Sequence, residues 1–368
     1  MEYELECIDC GKRYKPKKGR YICDCGSAML VKYKKLKWQP EGKWVWRYKK
    51  MMPFEGEPIS LEEGGTPVIN SSRIEKELGA DLYFEFEGDN PTDSFKDRGT
   101  TVVISRAKEE GFDTVSVAST GNMGASVAAY ASHGDLKAKV FVPKSTPSGK
   151  LVQIKAYGAE LVEVDGSFPD CVKALWEDVE NGSYLAETGL NPYYLEGEKT
   201  LGYEIFEDIG VPDKIIVPMG TGGLITSIYK AFKELKTMKQ ATSLPEMIGV
   251  QPDGCSPIID AWREGTEKVE TLEHAQSIAS AVLVKSPFNG VSAIRALNDS
   301  GGQGVKVTDK EIIQAIKDLG RDGVFCEPAS ATTLAGLRKI DFKKDEKIVL
   351  VITGHGLKDP TAILECNP

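Results

Sequence analysis

The sequence has no apolar run approaching the roughly 20 residues that a membrane-crossing helix needs, and its charged start, MEYELECIDC, has no signal-peptide core. A cytoplasmic protein without a membrane partner is expected. Internal repeats and low-complexity segments are also missing. Histidine is scarce, at three residues in 368. His133 and His274 sit in ordinary helical or polar stretches and read as surface or packing residues. The most glycine-rich junction, PMGTGGLITS at 218–227, is neither GxGxxG nor a Walker loop with its GK[ST], so those nucleotide fingerprints give no support for nucleotide binding. What remains is ordinary globular composition, with 41% hydrophobic and 27% charged residues, and enough length for two or more lobes.

Charge and cysteine are both unevenly spread. Residues 1–50 hold 14 Lys and Arg against 6 Asp and Glu, in a chain whose net charge is −9. The body beyond is acidic and has no second basic stripe. The basic head is therefore expected to dock on that body and to leave nucleic acid alone. Four of the eight cysteines, Cys7, Cys10, Cys23 and Cys25, fall within the first 25 residues as CIDC and CDC. Two thiolate pairs on two turns can close a tetrahedral zinc site, and a segment this small needs such a staple; reduced, unliganded cysteines are the other reading. Cys171, Cys255, Cys326 and Cys366 are scattered and read as core or surface thiols. The basic connector at 32–48, with Trp38, Trp44 and Trp46, is expected to pack on something.

From residue 57 the pattern turns to alternating strand and helix. Short β-rich runs at DLYFEF, TVSVAS, AKVFVP, ELVEVD, KIIVPMG, MIGVQP and KIVLVITG are separated by helical stretches. The fold class is α/β, with parallel sheets flanked by helices. In such sheets chemistry collects at the carboxyl ends of strands. Four junctions there carry unusual residues. NPTDSFKDRGT at 90–100 sets Lys96 in a polar turn. ASTGNMGAS at 118–126 brings small residues and Asn122 to a helix start. Gly220, Thr221, Gly222 and Gly223 expose amides at another helix N-terminus, where the dipole favours an anion. VITGHGLKDP at 351–360 ends a strand in Thr353.

Together these groups can hold pyridoxal phosphate. The Lys96 amine would form the Schiff base, the glycine loop would take the phosphate, and Asn122 would reach the ring hydroxyl oxygen. A neutral threonine at the ring nitrogen would leave that nitrogen largely unprotonated.

From about residue 63 to 360 the chain resembles the threonine synthase family, pyridoxal phosphate enzymes of the tryptophan-synthase-β fold type. NPTDSFKDRG is similar to that family's NPTGSFKDRG, ASTGNMGAS to ASTGNTSAS, and YYLEGEKT to RLEGQKT. EPASA at 327–331 recurs, TGHGLKDP matches outright, and LEEGGTPV at 61–68 is similar to the entry segment. The cysteine-bearing head resembles one carried by some microbial members. The resemblance implies Lys96 as the cofactor-bearing lysine and Asn122 at the ring oxygen, with Gly220, Thr221, Gly222 and Gly223 at the phosphate and Thr353 at the ring nitrogen. It also implies a two-lobed fold: a head and connector over 1–45, a large lobe from 46–95 and 190–368, and a small lobe over 96–189. A homodimer acting on a small amino-acid substrate is expected.

Departures fall on the substrate side. Where the family runs N-S-x-N-P-x-R, this chain has Glu187, Thr188 and Tyr194 among its residues, and tyrosine cannot supply an arginine's charge to a phosphate. Met123 and Asp93 replace a threonine and a glycine. Lys150, Lys155, Arg98 and Lys199 are the candidate replacement cations. Three readings follow: a lyase forming threonine from O-phosphohomoserine; a relative acting as a serine or threonine deaminase or a β-replacement enzyme; and a zinc-ribbon binding protein on a non-catalytic scaffold. His355 lies in the matched motif, as a loop-ordering residue or a catalytic one.

Overall fold

The protein is described by a computed structural model covering residues 1–360, except for the side chain of Lys150; Cys366 lies outside the described residues. The chain divides into two compact units. One is Met1–Gly64 with Lys96–Glu198, and the other is Gly65–Phe95 with the chain from Lys199 onward.

The first unit contains two sheets. In the head, the strand Tyr3–Cys7 lies between Arg13–Tyr14 and Met29–Tyr33, all antiparallel. The second sheet is parallel, in the order Glu160–Val164, Lys137–Pro143, Thr114–Ala118, Tyr184–Leu185. Helices Lys96–Glu109, Asn122–His133, Ser148–Ala156 and Phe168–Glu180 belong to the same unit. The last of these starts where Ser167 and Asp170 form a capping box, which satisfies backbone donors that a helix start leaves open.

The head docks on this unit as expected, but aromatic side chains do the docking. The Tyr33 hydroxyl donates to the Glu196 carboxylate, the Tyr3 and Tyr193 hydroxyls lie 3.3 Å apart, and the Tyr21 ring meets Tyr184 edge-on at 5.3 Å. In the connector, Trp46 Nε1 donates to Thr101 Oγ1 at 2.8 Å. Four head cations pair with head acids, Lys12 and Arg20 with Asp24 and Arg13 and Lys32 with Glu6, and Lys18 Nζ lies 4.3 Å from the centre of the Phe112 ring outside the head. The exposed pairs within the head contribute little.

The second unit has one six-stranded sheet, in the order Gln303–Val307, Glu246–Pro252, Lys214–Pro218, Lys347–Ile352, Asp81–Phe86, Val68–Asn70. Only the edge strand Val68–Asn70 runs antiparallel. Lys214–Pro218 is buried at every residue and Lys347–Ile352 at every residue after the first, which is why both read as unbroken apolar runs. All seven strands expected from the sequence are present. Gln303–Val307 was missed because QGVKV carries a glycine and two polar residues in five.

Candidate active site

In the second unit the two most distinctive motifs meet. Phe95 N donates to Thr353 O at 3.0 Å, His355 N donates to Asp93 O at 3.0 Å, and Lys358 Nζ donates to Thr92 O at 2.9 Å. Asn90 Nδ2 donates to Glu87 Oε2 at 2.9 Å and ties down the start of the loop. The loop is thus zipped to the end of strand Lys347–Ile352, and Phe95, the residue before Lys96, is part of the seam. Asp93 has φ +63°, a left-handed conformation that suits glycine and costs other residues about 1 kcal/mol. That conformation accounts for the glycine of the family pattern at this position. His355 accepts from Leu357 N at its Nδ1 (3.3 Å) and packs edge-on against Phe325 at 5.2 Å, which is how a loop-ordering residue behaves. His133 and His274 are exposed.

The glycine loop lies in the same unit, between strand Lys214–Pro218 and helix Gly223–Thr237. Gly222 sits at φ +86°, and a Cβ there would lie 2.8 Å from the carbonyl oxygen of Asn289. Asn289 N in turn donates to Thr221 O at 2.9 Å. A side chain at Gly222 is excluded by both backbone conformation and space. Thr353 is buried; its hydroxyl donates to Glu327 Oε1 at 3.0 Å and lies 2.9 Å from Ser330 Oγ. Glu327 and Ser330 come from the matched EPASA segment.

In the first unit Lys96 opens helix Lys96–Glu109. Its Nζ lies 4.0 Å from the buried carboxylate of Glu198 and 5.8 Å from the centre of the Tyr194 ring. Tyr194 is fully buried, and its hydroxyl donates to Lys96 O at 2.9 Å. A Cβ on Gly99 would come within 2.5 Å of that ring, and one on Gly197 within 1.9 Å of Arg98 O. Two glycines therefore let helix Tyr194–Glu198 press directly on the start of the lysine helix. Tyr194 is a wedge beneath Lys96.

Asn122, half-buried, opens helix Asn122–His133. Met123 is buried with its sulfur 4.0 Å from Thr100 Oγ1, so the residue that replaces the family's threonine is a core residue. With Asn191 and Pro192 in register, Thr188 and Gly189 fall opposite the family's asparagine and serine, and Glu187 lies one residue outside them. Glu187 is half-buried, and Ala118 N donates to its Oε2 at 3.3 Å. Burial pushes its carboxyl up to about 8, against the opposing pull of Ala118 N–H and the Lys96 charge. It is mainly neutral at pH 7, so the repulsion expected of a carboxylate here applies only at higher pH.

The candidate replacement cations fare unequally. Lys199 is fully buried in the second unit and paired with Glu234 at 3.0 Å. Arg98 is fully buried and Lys155 exposed.

In the head, the four Sγ atoms of Cys7, Cys10, Cys23 and Cys25 lie within 4.8 Å of one another, with Cys7–Cys25 at 3.5 Å and Cys10–Cys23 at 3.6 Å. Each cysteine turn closes on a left-handed glycine: Gly11 at φ +68° donates to Cys7 O, and Gly26 at φ +89° donates to Cys23 O. Cys171, Cys255 and Cys326 are buried.

Residues 59–354 match the pyridoxal-phosphate dependent enzyme family. A threonine synthase from Methanocaldococcus jannaschii is 40% identical over 98% of this chain and 94% of its own length, and one from Methanosarcina acetivorans is 38% identical over 99% and 94%. The chain belongs to the threonine synthase family of pyridoxal-phosphate dependent enzymes. Among solved structures, the processed threonine deaminase isoform 2 of Solanum lycopersicum is similar with a TM-score of 0.72 at 25% identity, covering 82% of this chain and 87% of that one. Maize serine racemase follows at 0.71 and 24%, covering 82% and 91%, a likeness of fold alone. The fold-type-II reading and the enzyme reading hold, and the non-catalytic scaffold falls with the family match. Among the described residues no helix is long and apolar enough to cross a membrane. The sequence reading missed Asn289 and Glu198. The one hint for Glu198 is its place opposite the glutamine of RLEGQKT, and Asn289 stands in no quoted motif.

Proposed function

We propose that this protein is a threonine synthase that converts O-phospho-L-homoserine and water to L-threonine and phosphate. The observation that carries this reading is the likeness to two methanogen threonine synthases through 98% and 99% of the chain, head included. When bound, pyridoxal phosphate supplies the electron sink for proton removal next to the amino group. The residues fit that group: a loop that admits no side chain at Gly222, a helix start whose amides favour an anion, and a lysine beside a buried carboxylate.

In this reading Lys96 carries the cofactor and moves protons at the substrate's carbons. Glu198, 4.0 Å from the Lys96 amine, stands as its counter-charge whenever that amine is free and protonated. Asn122 holds the ring oxygen. Gly220, Thr221, Gly222 and Gly223 hold the phosphate. Thr353 would face the ring nitrogen; its hydroxyl donates to Glu327 Oε1 in this structure and would turn to donate to an unprotonated nitrogen. Glu187, neutral below about pH 8, can donate to a substrate phosphate where a carboxylate would repel it. In this reading the protein is a homodimer in the cytoplasm; light scattering tests the dimer and cell fractionation the location.

The deciding assay incubates the enzyme separately with O-phosphohomoserine, O-phosphoserine plus a sulfur nucleophile, serine, and threonine, following phosphate and keto-acid release. Threonine formed from O-phosphohomoserine is the expected result. Keto acid from unphosphorylated serine or threonine as the main product would make it a deaminase, the reading that Tyr194 in place of arginine favours.

The four head thiolates hold one zinc ion. Tetrahedral Zn–S bonds of about 2.3 Å need sulfurs about 3.8 Å apart, and the observed Sγ cluster brackets that spacing. Elemental analysis should give about one zinc per chain, and Cys7→Ser should release it with local unfolding of the head while cofactor colour persists. A metal-free, folded head overturns the assignment.

A further inference from the structure

We infer that Asn289 is a phosphate-binding residue of the cofactor site, a role that neither the glycine loop nor the four sequence junctions include. The inference rests on the pyridoxal phosphate reading above, and its observations are confined to the second unit.

Asn289 is completely buried, and among the described residues neither its Oδ1 nor its Nδ2 has a hydrogen-bond partner. A side-chain amide has two donors and a carbonyl oxygen, and burying them unused loses their hydration with nothing returned. The usual structural use of an asparagine at this position is also missing. Asn289 is the N-cap of helix Gly290–Ser300, where an asparagine oxygen ordinarily accepts from the first turn, yet no cap bond is made. The neighbouring polar atoms are satisfied by other means: Ser292 Oγ donates to Asn289 O at 2.9 Å and lies 3.0 Å from Thr226 Oγ1, and Thr226 Oγ1 donates to Gly222 O at 2.7 Å.

The position of Asn289 points to the ligand. Its N–H donates to Thr221 O, and its carbonyl occupies the space that a side chain on Gly222 would need. The unused amide therefore springs from backbone in contact with the loop that presents amides to an anion. An oxyanion in that loop would accept from Nδ2 and satisfy the amide's unused donor.

The test uses apoenzyme and two ligands, pyridoxal phosphate and pyridoxal, with affinity read from absorbance and tryptophan quenching. Asn289→Ala should weaken pyridoxal phosphate binding about tenfold or more, leave pyridoxal binding unchanged, and leave the apoenzyme melting temperature unchanged or raised, because an unsatisfied group has been removed. Asn289→Asp, close to isosteric, should weaken pyridoxal phosphate binding at least as much, because a carboxylate cannot donate to a phosphate and repels it. Equal losses on both ligands, or no loss on either, overturn the inference. If the unaltered protein binds neither ligand, the cofactor reading itself has failed, a different result from an Asn289 variant that binds as well as the parent.

Discussion

The surroundings of Lys96 in the first unit and those of the glycine loop in the second use different polar groups. Around Lys96 the first unit gathers ionisable chemistry: the half-buried lysine amine, the buried Glu198 at 4.0 Å, the buried Tyr194 phenol, and the half-buried Glu187 with its carboxyl pushed up to about 8. Around the glycine loop the second unit presents neutral groups: backbone amides, the hydroxyls of Thr353 and Ser330, and the amide of Asn289. Neutral donors at a helix start suit an anion of fixed charge, because backbone and side-chain amides do not titrate. Buried ionisable groups suit a step in which protons move, because modest changes in surroundings shift their charge. The difference also marks where this chain departs from its family pattern. In the second unit TGHGLKDP is kept and Asp93 is the quoted departure, whereas in the first Tyr194, Glu198 and the stretch around Glu187 are altered.

The largest effect that could break this division is at Lys96. Lys96→Ala should lose turnover by a thousandfold or more while the glycine loop still binds free phosphate. Borohydride reduction of the parent followed by peptide mapping should place the pyridoxyl group on Lys96. A label recovered on another lysine would end the assignment.

Tyr194→Arg asks whether the family's phosphate grip can be restored in one step. The Tyr194 ring is fully buried against Gly99, and its hydroxyl holds Lys96 O. A guanidinium in that space is an unpaired buried charge with the wrong shape, and denaturant unfolding should show a loss of about 3–5 kcal/mol. An arginine variant as stable as the parent, with tighter O-phosphohomoserine binding, would mean that the wedge role is wrong.

Glu187→Gln sharpens the comparison through pH. In the folded chain the carboxyl keeps its proton up to about 8, whereas in the unfolded chain it loses it near 4.3. The folded state therefore binds the extra proton between those values, and this group's contribution to stability falls as pH rises through that window, then levels above about 8. Glu187→Gln should remove that slope and gain on the order of 2–4 kcal/mol at pH 9. Use of a phosphorylated substrate should also decline above pH 8 in the parent and less in the variant. Parallel stability profiles for the two proteins would exclude a raised carboxyl.

Much of this arrangement was legible in the sequence, for physical reasons that also mark the limit. Parallel strands buried on both faces must be apolar throughout, so KIIVP and KIVLVI announced themselves. Small residues at a strand end have few uses besides close approach, so Gly220 to Gly223 could be read as a cradle. Asn289 could not be found this way, because an asparagine before a glycine is ordinary N-cap chemistry and only burial with unspent donors sets it apart. Tyr194 was read as a missing charge, since a motif comparison shows what is absent at a position, whereas the wedge against Gly99 exists only in three dimensions. The charge state of Glu187 was not legible either, because its proton affinity depends on burial that the sequence does not display.

The smallest effect concerns the seam that leads into Lys96. Asp93 holds a left-handed φ of +63° while its carbonyl accepts His355 N, so the conformation is fixed by the seam and Asp93 bears the strain. Glycine reaches that region freely, but it also gives the unfolded chain more freedom to lose, and the two effects oppose each other. The strain relieved, about 1 kcal/mol, exceeds the entropy cost only modestly, so Asp93→Gly should stabilise the protein by about 0.5 kcal/mol in denaturant unfolding. Cofactor affinity should stay unchanged, because the backbone seam is kept. A loss of stability would show that the Asp93 side chain contributes more than its backbone costs.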